Sequence, residues 1–304
     1  MVIFNESTDL DTLLCAVDKG DVEAKCELAW RRRLGIGGVE KDEKLSFRLF
    51  LEASESGNPV ALNNVGFCYA DGIGVKRDLA LANRYYRRSA KLGCVAAMNN
   101  LGWNYMNGLG VAKSPNAAVR WFKKAAEGGF TQAQNNLAYC YQNGIGVGRD
   151  FKEANRWYKI ASDNGLVEAS VNLAWNYQMG NGCKVDHDKA LDLYRVAAEK
   201  GVASAQCNLG YVFLYGVGVE RNYDQAFKWY SLAVEQGFPE AFGPLAVCYE
   251  MGYGTKPSVQ KAKELYHAAA VRGDRNAEER LKKMDEDIVT KLDRMIKKSD
   301  IALK

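Results

Sequence analysis

Residues 205–237 read AQCNLGYVFLYGVGVERNYDQAFKWYSLAVEQG, and the spacing inside this stretch decides the fold. Ala205 is followed by Leu209, then by the turn Gly216-Val-Gly218, the polar Asn222, the small Ala226, the pair Trp229-Tyr230 and a closing Gly237. The same skeleton recurs every 36 residues, at Ala61, Ala97, Ala133, Ala169, Ala205, Ala241 and Ala277. Gly57, Gly93, Gly129, Gly165, Gly201, Gly237 and Gly273 keep the same interval. Ala24 opens one further unit that is a residue longer, the extra residue falling within Gly35-Ile-Gly-Gly38. The unit opened at Ala277 holds only a first helix, so the chain has seven full repeats, and such a period is the mark of stacked supersecondary units that bury their apolar faces only against one another.

Each unit reads as two helices and two turns. The first helix is expected to start at the recurrent Ala, with Leu or Val four residues on (Leu28, Val65, Leu101, Leu137) and usually Tyr eight on (Tyr69, Tyr105, Tyr141, Tyr177). That spacing puts all three on one helix face, the face to be buried. Gly-x-Gly turns such as Gly108-Leu-Gly110 end it, glycine supplying a positive φ without steric cost. The second helix follows a good N-cap in every unit: Asp42, Asp78, Ser114, Asp150, Asp186, Asn222 and Ser258. Its apolar face carries a small residue, as at Ala118 or Ala154, and an aromatic pair, as at Trp121-Phe122 or Trp157-Tyr158.

A unit of the form Ala-x-x-x-Leu-Gly-x-x-Tyr-x-x-Gly-x-Gly-Val, then Asp, Ala, Trp-Tyr, Ala-Ala and Gly, resembles the Sel1-like repeat, a relative of the tetratricopeptide repeat. The resemblance runs from about Ala24 to Gly273. It departs where Ala replaces Gly (Ala29, Ala138, Ala174, Ala246), where Cys183 and Thr255 replace Val, and at Pro244, expected in the first turn of its helix, where a missing amide is harmless. The resemblance implies an all-α fold, an α-solenoid wound as a right-handed superhelix, with the first helices lining its concave surface. It also implies a non-enzymatic protein–protein interaction scaffold. Residues 1–23 are expected to form an N-terminal capping helix, 24–276 the seven repeats, and 277–304 a charged C-terminal capping helix. Leu281, Met284, Ile288, Leu292 and Met295 share one side of that last helix, where eight basic residues meet seven acidic ones, against a membrane-surface role.

Composition narrows the chemistry. The 304 residues are 47% hydrophobic with a formal net charge of +4, too small a surplus to imply nucleic acid without clustered basic patches. No apolar stretch approaches the roughly 20 residues that span a bilayer, and acids at the N-terminus argue against a secretory signal, so a cytoplasmic location is expected. The eight cysteines are dispersed, without a Cys-x-x-Cys pair or His at zinc-ligand spacing, and read mostly as small apolar residues. Only His187 and His267 are available for acid–base work, and neither stands in a triad-like arrangement. No metal, cofactor or catalytic set is expected. The Gly-x-Gly turns lack the Lys-Ser/Thr and the preceding strand of a phosphate cradle. The alternative function, a β-lactam- or peptidoglycan-related hydrolase or binder as in cysteine-rich members of the family, would call for a regular cysteine pair in each repeat, which this sequence lacks.

At about 100° per residue, the positions two and six after the recurrent Ala point about 160° from the buried direction. The later one holds Trp30, Phe67, Trp103, Tyr139, Trp175 and Tyr211, then Val247; the earlier one holds Asn63, Asn99 and Asn135 in the central units. Rings are rigid apolar platforms, and an amide side chain donates and accepts, so the rows suit an extended peptide or a partner helix. These nine residues are the candidate partner-binding set. Two competing readings stand beside it: the rings stack on one another across neighbouring helices, and a second series, Asn64, Asn100, Asn136, Asn172 and Asn208, satisfies backbone groups between repeats.

Overall fold

The computed structural model describes residues 4–5 and 7–286, and among them every regular element is a helix. Ile288, Leu292 and Met295 of the expected C-terminal cap lie outside the described residues. A lone helix α1 (Leu10–Asp18) precedes seven hairpins: α2 (Val22–Leu34) with α3 (Glu43–Glu55), α4 (Pro59–Asp71) with α5 (Leu79–Lys91), α6 (Val95–Asn107) with α7 (Pro115–Glu127), and α8 (Thr131–Asn143) with α9 (Phe151–Asp163). There follow α10 (Val167–Met179) with α11 (His187–Glu199), α12 (Ala203–Tyr215) with α13 (Tyr223–Glu235), and α14 (Pro239–Met251) with α15 (Val259–Val271). A last helix, α16, covers 275–286. The chain divides into two compact units, Met1–Asn164 holding α1–α9 and Gly165–Lys304 holding α10–α16.

Every hairpin helix is 13 residues long, and the first helix of each begins two residues before the recurrent Ala rather than at it. In the first two hairpins a polar cap accounts for this: Asp21 and Asn58 accept from the amides of Ala24 and Ala61 at 2.9 and 3.0 Å. From α6 onward the cap is Cys94, Phe130, Leu166, Val202 or Phe238, with no side-chain bond, so no cap signal marks the start. The second helices start as expected, with Asp78, for example, accepting from Leu81 N at 2.9 Å.

Packing within a hairpin centres on one ring. Phe50, Tyr86, Phe122, Tyr158, Tyr194, Tyr230 and Tyr266 are buried, while Trp121 and Trp229 beside them are half-exposed. The ring lies on the Gly or Ala five residues after the recurrent Ala: a Cβ added at Gly102 would stand 2.5 Å from Phe122 Cδ1. The recurrent Ala and its Leu or Val are buried as expected, but Tyr69, Tyr105, Tyr141 and Tyr177 are only half-buried. They sit at the turn, where their carbonyls accept from the amides of Asp78, Ser114, Asp150 and Asp186 at 2.8–3.0 Å.

Neighbouring hairpins are joined through the turns. Gly108 ends α6 with φ 73°, and Gly110, at φ 65°, brings its backbone against the start of α5 in the preceding hairpin, 2.5 Å from the Leu79 carbonyl carbon to an added Cβ. Asn83 secures the same seam by donating to the Leu79 and Leu109 carbonyls, both at 2.7 Å, while accepting from Asn104. In the first repeat the extra residue is absorbed in a loop with three positive-φ glycines, Gly35, Gly37 and Gly38. Arg31, 1% exposed, pairs with Glu27 there and donates to the carbonyls of Asn5 and Thr8 at 2.8 and 2.6 Å, fastening the N-terminal segment.

Pro244 departs from the expectation. It is the sixth residue of α14, beyond the first turn, so it removes the amide that would meet the Glu240 carbonyl.

Candidate functional site

The first helices carry the candidate residues, whose exposure differs from repeat to repeat. In the first unit Trp103 and Tyr139 are 54% and 51% exposed. Trp30 and Phe67 are half-buried: Trp30 meets Phe50 edge-on at 5.9 Å, and the Arg33 guanidinium lies between the two rings, 4.7 Å from Trp30 and 4.4 Å from Phe67. In the second unit Trp175 and Tyr211 are 42% and 46% exposed, and Tyr211 rests against Tyr215 at 4.7 Å. Among the described residues none of the six rings pairs with another of the six, so the reading in which they stack on each other is set aside.

The asparagines form a ladder that sequence spacing did not reveal. Asn100 donates to Asn63 Oδ1 at 3.1 Å and Asn136 donates to Asn99 Oδ1 at 3.0 Å. Within the second series, Asn100 and Asn136 thus serve side chains of the preceding repeat. In Asn63 and Asn99 one carbonyl lone pair is thereby engaged, leaving the second lone pair and the amide hydrogens. Asn135 is engaged as well. Between Phe67 and Trp103 lies a hollow of about 200 Å³, floored by Tyr86, Asn100 and Asn104 and walled by Arg77.

The second unit lines the equivalent face differently. Val171, Cys207 and Gly243 replace the asparagines, and one turn beyond the rings stand Met179, Tyr215 and Met251, all more than half exposed, where the first unit has one apolar residue, Leu34, and then Asp71, Asn107 and Asn143. The 36-residue register contained this apolar row, but it emerges only when positions ten after the Ala are compared. Where the ring row stops, Gly243, Pro244 and Val247 leave a cavity of about 1010 Å³. Glu250 closes one side, paired with Arg280 and accepting from Tyr266 Oη at 2.8 Å.

The thiols have the character of core residues. Burial pushes Cys26 and Cys207 up to about 12, and Cys68, Cys140 and Cys248 up to about 11, so all five stay protonated near neutrality. Among the described residues no group of three or more His, Cys, Asp or Glu is placed to hold a metal ion, and no helix is long and apolar enough to cross a membrane.

A family model for the Sel1 repeat matches residues 22–58, 59–94, 95–130, 131–166, 167–202, 203–238 and 245–274. The chain belongs to the Sel1 repeat family. No curated protein matched. Among solved structures it is similar to a protective antigen of uropathogenic Escherichia coli displaying an SLR fold, with 30% identity over 90% of this chain and a TM-score of 0.76. The chain spans 58% of that protein's length. It is also similar to a Sel1 repeat protein from Oxalobacter formigenes, with 29% identity, a TM-score of 0.74, and coverage of 81% of this chain and 96% of that one. In this Sel1-repeat chain the seventh match begins at Leu245, so the stretch Pro239–Pro244 beside the larger cavity departs from the family pattern.

Proposed function

We propose that this Sel1-repeat chain is a non-enzymatic scaffold, cytoplasmic in location, that captures a peptide or helix of a partner protein along the ring-bearing face of its first helices. Sel1-repeat proteins generally mediate protein–protein interaction. The observation that carries the reading is the exposure of Trp103, Tyr139, Trp175 and Tyr211, four large rings held open on regular helices where a surface helix ordinarily carries charge. In the first unit the amide hydrogens of Asn63 and Asn99 alternate with the rings and suit the carbonyls of an extended peptide. In the second unit, methionine and tyrosine suit apolar side chains.

The double substitution Trp103→Ala and Trp175→Ala tests it in the full chain. Partner capture in a pull-down is expected to weaken by about 2 kcal/mol or more, roughly thirtyfold, with helicity unchanged. Undiminished capture by a folded variant rejects the assignment.

A further inference from the structure

The second helices of the first unit carry a second surface, and it is cationic in register. On α5 the residues Arg84, Arg88 and Lys91 lie about 140–180° from the buried Ala82, Tyr86 and Ala90, facing outward. At 36-residue steps the position of Arg84 is filled by Arg48 on α3, Arg120 on α7 and Arg156 on α9, all exposed. The second unit has Asp192, Lys228 and Glu264 there, so the arginine row belongs to the first unit alone. On α7 the row widens with Lys123 and Lys124. Residues 72–126 contain ten Lys and Arg against one acid, Asp78, whose carboxylate is engaged in capping α5.

Among the described residues these cations are not neutralised. Among the described residues no carboxylate stands at ion-pair distance from Arg84, Arg88, Lys91, Arg120 or Lys124, and Lys123 reaches Glu127 only at 3.9 Å. Like charges at i and i+4, as at Arg84 with Arg88 and Arg120 with Lys124, repel and cost helix stability. An anion laid across α5 and α7 relieves that repulsion.

The borders of the patch select among anions. Glu52 and Glu55 stand on α3 at the positions of Arg88 and Lys91, and on α9 Arg156 is bound to Glu153 at 2.9 Å and Lys159 to Asp163 at 2.8 Å. The uninterrupted cationic surface is therefore two helices wide and rimmed by carboxylates. A nucleic-acid duplex, with a negative charge every ~1.7 Å, would run across those carboxylates. The rings that bases would stack on are covered, Tyr85 by Arg88 at 5.6 Å and Trp121 by Lys124 at 5.0 Å. No large apolar side chain is exposed on α5 or α7 to enter a lipid surface. We propose that the outward face of α5 and α7 binds a short acidic segment of a partner protein, its carboxylates received by the guanidinium groups of Arg84, Arg88 and Arg120. This surface is separate from the ring-bearing face of the first helices and does not depend on it.

Fluorescence anisotropy with the full chain tests the proposal, using three probes at the same physiological salt: a labelled peptide of alternating Glu and Asp, a labelled short DNA duplex, and phosphatidylserine vesicles. The acidic peptide is expected to bind most tightly and to weaken as salt is raised. The combined variant Arg84→Gln, Arg88→Gln, Arg120→Gln and Lys124→Gln is expected to lose about tenfold or more in affinity while keeping its helicity. Removing charge from the second unit with Arg195→Gln and Lys228→Gln is expected to change little, and Trp103→Ala to change nothing. The proposal is overturned if the peptide fails to saturate, if the two sets of charge substitutions weaken it equally, or if duplex or vesicles bind more tightly than the peptide.

Discussion

A single aromatic position separates packing from presentation. Tyr158 on α9 is fully buried, and among the described residues its hydroxyl has no hydrogen-bond partner; Phe122 fills the same position on α7 without a hydroxyl. An unpaired buried hydroxyl carries a desolvation cost of about 1–3 kcal/mol. Tyr158→Phe is therefore expected to raise stability by about 1 kcal/mol, read as a higher urea midpoint at unchanged slope. Tyr139, one repeat unit on from Trp103, shows the opposite use of a ring: half its surface meets solvent on the outer side of α8. Helical periodicity separated Tyr139 from Tyr158 in the sequence, whereas Trp121, Trp229 and the tyrosines eight after the recurrent Ala fall between the two kinds. The amide ladder was not legible in that way. Asn100 and Asn63 meet across two helices, and angular position on one helix does not report what a neighbouring helix presents.

Hairpin stacking depends on how closely a turn can approach the preceding repeat. Gly102 and Gly110 make the contrast within one hairpin. Gly102 is helical and only its contact with the Phe122 ring is tight; Ala138 and Ala174 occupy the equivalent place in other repeats with the ring still buried. Gly110 combines a positive φ with a backbone neighbour that cannot yield. Gly102→Ala is expected to cost about 1 kcal/mol, and Gly110→Ala about 2 kcal/mol or more, in chemical denaturation followed by circular dichroism. The turns and the second-helix starts were readable because Gly and Asp, Asn or Ser mark them chemically. The first-helix starts from α6 onward were not, since Phe130, Leu166 and Val202 occupy the cap position without a side-chain bond. Pro244 was misplaced for the same reason: counting from Ala241 put it in the first turn, while the helix begins at Pro239.

Across the chain, properties that look weak in total are concentrated locally. The net charge of +4 gave no sign of a basic patch, because the cations of residues 72–126 are offset by acids elsewhere in the sequence. A cluster whose members, such as Arg84 and Arg120, stand 36 residues apart does not show as a basic tract. The thiols behave collectively too. Cys26, Cys68, Cys140, Cys207 and Cys248 are buried along both units, and each has its ionisation pushed up from 9.0 to about 11 or 12. In the unfolded chain these thiols lose their protons near pH 9, whereas the folded chain retains them, so the unfolded state binds fewer protons above that pH. Their contribution to stability is fully present below about pH 9 and is lost as pH rises toward 11–12. Urea midpoints measured at pH 8 and at pH 10.5 are expected to fall, and replacing Cys140 and Cys248 with Ala is expected to flatten the decline.

The contact between Gly110 and the start of α5 also governs how such a chain can change length. Within each compact unit a seam is keyed to a fixed position in the hairpin before it, so inserting or deleting a few residues inside a hairpin moves the key off its lock, whereas gaining or losing a complete repeat reproduces the same seam. The first repeat, with its extra residue lodged in the glycine loop held by Arg31, marks the kind of place where a smaller change is absorbed.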